Sequence, residues 1–371
     1  MNIKVNLLCN FNNTGVGRHC ENAFFALHRN RPAGMTVEYV NNARESVVQN
    51  ALQTGNGERD ITLFFWRTAH PVVKQFPGRR VIWWFFESDR LPRYWLEQIS
   101  IYDEVWMPSL WGRDVMLAHG YPAQRIRVVE SGVSAGVFRP LEGEYATRED
   151  STSAPFIFLS VGKYENRKSI DEIIAAFLAE FPAPRYPSVH LLLKADYPLF
   201  PDRVVSLSRR LAGDPRIRII SGHFSDEQMA AIYRGADAFV FASKAEGFGL
   251  PCIEAIACGV PVISTCVSAH ATFLERIPGL YIPIESELAP LVDEDYAYFY
   301  RAEYQGEDFG QWAIPSIASM RRGMRHAFED RAGCRARARQ AAAVIRREFS
   351  WDAIAQRAVS DLQSLAQTAR S

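Results

Sequence analysis

Ser243-Lys244-Ala245-Glu246-Gly247-Phe248-Gly249-Leu250-Pro251-Cys252-Ile253-Glu254-Ala255-Ile256-Ala257-Cys258-Gly259-Val260-Pro261 follows directly on the strand-like run Ala238–Ala242. Two carboxylates, Glu246 and Glu254, stand eight positions apart around a glycine-lined turn and a short helix. Pro251 suits the first helical position, where its missing N–H would have had no intrahelical partner. Gly259 suits the residue just past the helix end, where a left-handed backbone favours glycine. The spacing predicts a helix from about Pro251 to Cys258, entered through Gly247 and Gly249. Unpaired N–H groups at such a start, with the helix dipole behind them, make an anion site. A strand-turn-helix unit with two solvated glutamates is the plainer alternative. It gives no reason for both acids beside a glycine-lined helix start.

Working outward, short apolar runs alternate with helical stretches, which reads as parallel α/β architecture. Strand candidates in the first half are Ile3–Leu8, Val37–Val40, Ile61–Phe65, Val81–Phe86, Glu104–Met107 and Arg127–Val129. A polar stretch, Glu142–Ala154, then suits an exposed boundary. The alternation resumes at Phe156–Val161, His190–Lys194, Arg216–Ile220, Ala238–Ala242 and Val260–Ser264. The simplest architecture is an α/β fold of two Rossmann-like domains with parallel sheets facing a cleft.

Gly15-Val16-Gly17 follows the first strand candidate and precedes a helix expected from about His19 to Arg29. A dinucleotide fingerprint would want a third glycine where Cys20 stands, and an acid where Asn41 and Asn42 stand. A nicotinamide-dependent dehydrogenase is disfavoured on both counts. The remaining uses are a merely tight turn or close approach of backbone to a phosphate or sugar. In the second half, Lys163 and Lys168 flank the loop after Phe156–Val161. Two cations there can neutralise a diphosphate leaving group; a solvated charged turn is the alternative.

The chain resembles the retaining GT-B glycosyltransferases of glycosyltransferase family 4. The resemblance rests on Glu246-x7-Glu254 with Gly-Phe-Gly-Leu-Pro between, on Thr14-Gly15-Val16-Gly17-Arg18, and on Trp84-Phe-Phe-Glu87-Ser-Asp-Arg-Leu91-Pro92. Val105-Trp-Met-Pro-Ser109, Ile126–Val133, Val137-Phe-Arg-Pro140, Val161–Lys168, Gly222–Asp226 and Phe349-Ser-Trp351 extend it over nearly the whole chain. It implies a GT-B fold, with an acceptor-binding domain over 1–150, joined by a C-terminal helix 350–371. A nucleotide-sugar domain covers 155–349.

The same resemblance implies roles. Glu246 would meet hydroxyls of the transferred sugar, and Glu254 the ribose hydroxyls. The amides of Phe248, Gly249 and Leu250 would face the diphosphate, with Lys163 and Lys168 on its charge and Arg167 able to share that role. Gly15 and Gly17 would approach the donor from the other domain. His223 and Phe224 fall in the loop near the base, Phe224 reading better as core. Lys163 replaces a common arginine, and Ser169 and His270 stand where glycine is usual. Glu87 is the acceptor candidate, against a structural loop carboxylate, with Arg18 and His70 as further candidates. The implied activity is retaining, metal-independent transfer of a hexose, mannose among them. The donor is a GDP- or UDP-linked sugar, and the acceptor a polysaccharide, lipopolysaccharide or lipid-linked oligosaccharide. The alternatives are a nucleotide-sugar epimerase or hydrolase on the same scaffold, or an inactive nucleotide-sugar-binding protein.

Composition bounds these readings. The 371 residues are 48% hydrophobic and 23% charged, with 42 basic and 42 acidic side chains. Nothing in that balance points to nucleic acid, and the hydrophobic share is ample for large cores. No run of eighteen apolar residues suggests a spanning helix, and the start lacks a signal-peptide pattern, so a cytoplasmic protein is expected. The six cysteines show no zinc spacing and read as free thiols. Asp293-Glu294-Asp295 matches a metal-binding D-x-D in form only and reads as a solvated face, so no cofactor is expected. The first-half aromatics Trp83, Trp84, Phe85, Phe86, Trp95, Trp106 and Trp111 read mainly as core. The arginines from Arg321 to Arg347 form a basic helical face, solvated or in peripheral contact with anionic headgroups at the inner face of a membrane.

Overall fold

The computed structural model describes residues 2–12, 14–54, 60–65, 72–141, 154–196, 200–291 and 308–367. The chain divides into two compact units, Met1–Ser134 with Tyr304–Phe309 and Glu348–Ser371, and Ala135–Glu303 with Gly310–Arg347.

The first unit runs β1 (Ile3–Cys9), α1 (Gly15–Asn30), β2 (Met35–Asn41), α2 (Glu45–Thr54), β3 (Ile61–Phe65), β4 (Arg79–Trp83), α3 (Arg93–Ile99), β5 (Glu104–Met107), α4 (Leu110–Ala118) and β6 (Ile126–Val128). Its strands pair in parallel in the order β2-β1-β3-β4-β5-β6. Every residue of β3 is buried, the pattern of a strand covered on both faces. Of the aromatics, Trp83, Trp84, Phe86, Trp95 and Trp106 are core, as read, whereas Phe85 and Trp111 are half-buried. Trp83 and Trp106 are fully buried and meet edge to face at 5.3 Å, and their indole N–H groups donate to the Val129 carbonyl at 3.0 Å and Glu104 Oε1 at 2.7 Å. A helix at Trp351–Gln367 returns to this unit. Its Trp351 lies so close to Gly132 that a Cβ there would sit 2.8 Å from the indole.

The second unit runs β7 (Phe156–Lys163), α5 (Ile170–Glu180), β8 (Val189–Asp196), α6 (Pro201–Leu211), β9 (Ile217–Ile220), α7 (Asp226–Arg234), β10 (Ala238–Phe241), α8 (Leu250–Ala257), β11 (Val262–Ser264), α9 (Ala271–Leu274) and β12 (Ile282–Pro283). A hairpin of β13 (Ser286–Pro290) and β14 (Gln311–Pro315) and helices α10 (Ile317–Glu329) and α11 (Arg331–Glu348) follow. The main sheet is parallel, in the order β12-β11-β10-β7-β8-β9. Phe158, Phe177 and Phe181 form its fully buried aromatic centre.

The order reverses at β7. The chain leaves that strand toward β8 and β9, then returns to place β10 on its other side. The carboxyl ends of strands at such a reversal are where open α/β sheets bind ligands.

Several expected boundaries shift for local reasons. β7 and β8 run two residues further than read, because Gly162 and Lys163 still pair with Ala195 and Asp196. β11 starts at Val262 instead of Val260, since the Val260 amide is spent on the Ala255 carbonyl at 3.2 Å and Pro261 has none. The arginine-rich stretch is not a free basic face. Asp237, 1% exposed, takes Arg331 and Arg335. Glu180 takes Arg321 and Arg325, and Arg322 and Arg337 meet Glu285 and Asp330.

Candidate functional site

The loop after β7 closes into a 3-10 turn, Asn166–Lys168, and the loop after β10 carries Glu246. These are the two strands at the reversal, and their side chains meet. Lys168 Nζ pairs with Glu246 Oε1, and Arg167 Nη1 lies 3.2 Å from Oε2. The Ser243 hydroxyl donates to Oε1 at 2.6 Å. Arg167 also donates to the Ala245 carbonyl at 2.7 Å and to Glu165 Oε1 at 2.6 Å, which ties the two loops together. Behind them the buried Lys244 pairs with Asn166 and, at 2.9 Å, with Glu172.

Glu246 is 5% exposed. Burial opposes its charge, but Lys168, Arg167 and the Ser243 hydroxyl together outweigh that and hold its pKa down to about 2. Lys168 is pulled downward, first by burial and then by Arg167, against the attraction of Glu246. With two cations and a hydroxyl on it, the carboxylate is firmly ionised.

Helix α8 begins at Leu250, one residue earlier than the sequence suggests, so Pro251 is its second residue. Gly249 caps it with φ +95°, and a Cβ at Gly249 would lie 2.9 Å from that of His270. No other residue type meets both demands. Among the described residues no acceptor takes the amides of Phe248, Gly249 or Leu250, so the start of α8 keeps the donors expected of an anion site. Gly259 is left-handed at φ +73°, as its place after the helix requires. Glu254, on α8 and nearly buried, accepts from the Tyr233 hydroxyl at 2.9 Å.

The other sequence-derived candidates fall as follows. Lys163, the last residue of β7, is exposed, whereas Lys168 is part of the buried cluster. Phe248 is buried, its ring 5.5 Å from that of Phe273. His223 is exposed, and Phe224 is half-buried beneath the Lys194 ammonium, 5.6 Å from the ring centroid, instead of lying in the core. In the first unit, Gly15 and Gly17 are not a turn preceding a helix. They are its first and third residues, because Thr14 caps α1 by accepting from the Gly17 amide at 3.1 Å. Arg18 and Glu87 are half-buried. His70 and Asp293–Asp295 lie outside the described residues.

Sequence reasoning left out Ser243, Lys244, Glu165 and Ser268 as site residues and gave Arg167 only a shared part. It flagged His270 only as a departure from glycine. His270 is fully buried; its Nε2–H donates to the Thr265 carbonyl at 2.9 Å, while the Thr265 hydroxyl donates to the Ser243 carbonyl at 2.7 Å. That assigns Nδ1 as a bare acceptor, unpaired among the described residues. Burial pushes the ring's pKa down to about 4, so it is neutral at physiological pH. One set of metal-ligating side chains converges among the described residues, His326, Asp330 and Cys334. Arg337 Nη2 already sits 3.1, 2.9 and 3.2 Å from their ligand atoms.

Comparison with known proteins agrees with this layout. Residues 155–293 match the family model described as Glycosyl transferases group 1. D-inositol 3-phosphate glycosyltransferase of Mycobacterium tuberculosis is 27% identical over 249 residues, 65% of this chain and 44% of that protein. The chain therefore spans under half the length of the curated relatives it matches. Among solved structures, sucrose-phosphate synthase from Thermosynechococcus elongatus superposes with a TM-score of 0.68 at 16% identity, covering 98% of both chains. Anabaena HepE in complex with UDP and glucose gives 0.67 at 15% identity, covering 97% of this chain and 99% of the other. In sequence, residues 155–293 are thus similar to the group 1 glycosyl transferases, and the fold is that of GT-B glycosyltransferase structures, an α/β protein of two parallel-sheet Rossmann-like halves.

Proposed function

We propose that this protein is a retaining hexosyltransferase that uses a nucleotide-diphosphate sugar. The observation that carries the reading is the buried cluster of Lys168, Arg167 and Glu246 beside the unpaired amides at the start of α8. Glu246 neutralises the two cations. A diphosphate supplies a competing anion, for which Lys168, Arg167 and the α8 amides are the donors present. The carboxylate is then released to accept hydrogen bonds from sugar hydroxyls. Glu254, held by Tyr233, is assigned the ribose. Lys163 and His223 are assigned the outer rim of the donor site, and Gly15 and Gly17, in the first turn of α1, are assigned to the donor as the resemblance implies.

In the transfer, the bond between the anomeric carbon and the β-phosphate oxygen breaks. The acceptor oxygen bonds to the same face of that carbon, and its proton passes to the departing phosphate oxygen. Lys168 and Arg167 stabilise the charge growing on that oxygen. The step needs neither a protein nucleophile nor a metal. HepE, a structural neighbour, was solved with UDP-glucose, and WaaG is a glycosyltransferase of lipopolysaccharide biosynthesis. These support UDP over GDP as the first donor to try, and a glycan or lipid-linked acceptor assigned to the first unit with Glu87, Arg18 and His70. We place the enzyme in the cytoplasm.

The test is incubation with UDP-, GDP- and ADP-hexoses and a mixture of glycan and lipid-linked acceptors, read by nucleoside diphosphate release and by NMR of the product anomer. Release with an unchanged anomeric configuration supports the reading. Free epimer or free sugar alone replaces it with an epimerase or hydrolase, and binding without turnover replaces it with an inactive binder.

A further inference from the structure

Among the described residues only two non-glycine backbones are left-handed, Ser169 at φ 53° and Ser268 at φ 48°. Both stand at the same ion pair. Ser169 follows Lys168, and Ser268 touches Glu246. Such backbones are costly for a residue with a Cβ and persist only where their surroundings hold them. Ser268 opens the short 3-10 turn Ser268–His270 that follows β11. Its Oγ accepts the Glu246 amide at 2.8 Å, and the next amide, that of Ala269, reaches the Glu246 carbonyl at 3.4 Å. The backbone of Glu246 is therefore gripped at both its donor and its acceptor by one turn. A glycine would adopt this φ without strain but would bring no hydroxyl.

We propose that Ser268 is a positioning residue. Its hydroxyl fixes the backbone of Glu246 so that the carboxylate keeps its place once the donor has drawn Lys168 and Arg167 away. The left-handed backbone is the cost of bringing that hydroxyl to the amide. The proposal rests on the transferase reading above, because it gives Glu246 a task beyond neutralising the two cations.

The comparison is S268G with S268A, both measured for Tm and for nucleoside diphosphate release from the donor the wild type uses. S268A keeps the strain and loses the hydrogen bond, so its Tm falls. S268G loses the hydrogen bond and the strain together, so its Tm stays close to that of the wild type. Positioning predicts that kcat drops at least tenfold in both, with KM for the donor changed less than threefold. S268N tolerates the left-handed backbone and carries an acceptor oxygen, and it should recover part of the kcat lost in S268G. A merely structural serine would let activity follow Tm, leaving S268G within twofold of wild-type kcat, and that result overturns the proposal. If the wild type turns over no donor at all, the transferase reading itself fails and takes this inference with it. An active wild type beside an equally active S268G removes only the role of Ser268.

Discussion

Lys168 and Glu246 stand 78 positions apart and close a single buried ion pair across the two loops where the strand order reverses. Each comes from a different strand end, and neither loop alone would place a charge there. Arg167 makes the pair a triad, and Lys244 and Glu172 brace it from behind. Buried charges survive only when paired and hydrogen-bonded, and here every contact that satisfies them also fixes the geometry of the site.

Lys168→Ala should lower donor turnover at least tenfold. It should also cost ~3 kcal/mol of stability, the low end for breaking a buried pair, since Arg167 remains to hold Glu246. Steady-state kinetics and urea unfolding check both numbers, and near-normal kinetics would remove Lys168 from the machinery.

Acid sensitivity should begin above the carboxylate range. Burial pushes the His19 and His270 pKa values down to about 3 and about 4 from 6.5. A depressed histidine binds its proton first in the unfolded state, so its contribution is complete above pH 6.5 and is lost as the pH falls toward the folded value. Among the described residues each unit holds one such histidine, and each should lose roughly 1.4 kcal/mol per pH unit below 6.5. Glu246 adds a second limb in the second unit, where stability present above pH 4.5 is lost toward pH 2. Chemical denaturation at pH 7.5, 6.5 and 5.5 measures the first limb; stability that stays flat over that range contradicts it.

The two N-terminal glycines should differ sharply. A Cβ at Gly17 would lie 2.3 Å from Asn12 Oδ1 and 2.4 Å from its carbonyl oxygen, whereas one at Gly15 meets nothing within 4 Å. Gly17→Ala should therefore cost ~1–3 kcal/mol, the range for overpacking, and Gly15→Ala should leave the melting temperature unchanged or slightly raised. Equal melting temperatures for the two variants would show that Asn12 yields freely.

Asp237→Asn should destabilise the second unit by ~3–5 kcal/mol, because Arg331 and Arg335 lose their shared buried counterion. Unfolding followed by circular dichroism reads the shift, and a loss below 1 kcal/mol would mean that the arginines find water instead.

Much of this fold was legible because its strands are short apolar runs between helices. Ile61–Phe65 and Glu104–Met107 match the observed strands to the residue. Helix α8 and its left-handed Gly259 were legible from proline and glycine, whose backbone limits are intrinsic to the residue. Contacts between loops distant in sequence were not. Nothing near Ser268 announces that its hydroxyl takes the Glu246 amide, and nothing near Asp237 announces two arginines from α11. The arginine stretch looked basic because its acids lie elsewhere in the chain. Gly15 and Gly17 read as a turn because glycine is a poor helix former, but Thr14 supplies a cap that overrides the propensity.

Calorimetric titration of UDP, GDP and ADP into the wild type and into Arg167→Ala and Lys168→Ala tests whether these two cations hold the donor diphosphate. One nucleoside diphosphate should bind the wild type, and each variant should bind it at least tenfold more weakly. No binding of any of the three by a folded wild type, or undiminished binding by both variants, would contradict that role.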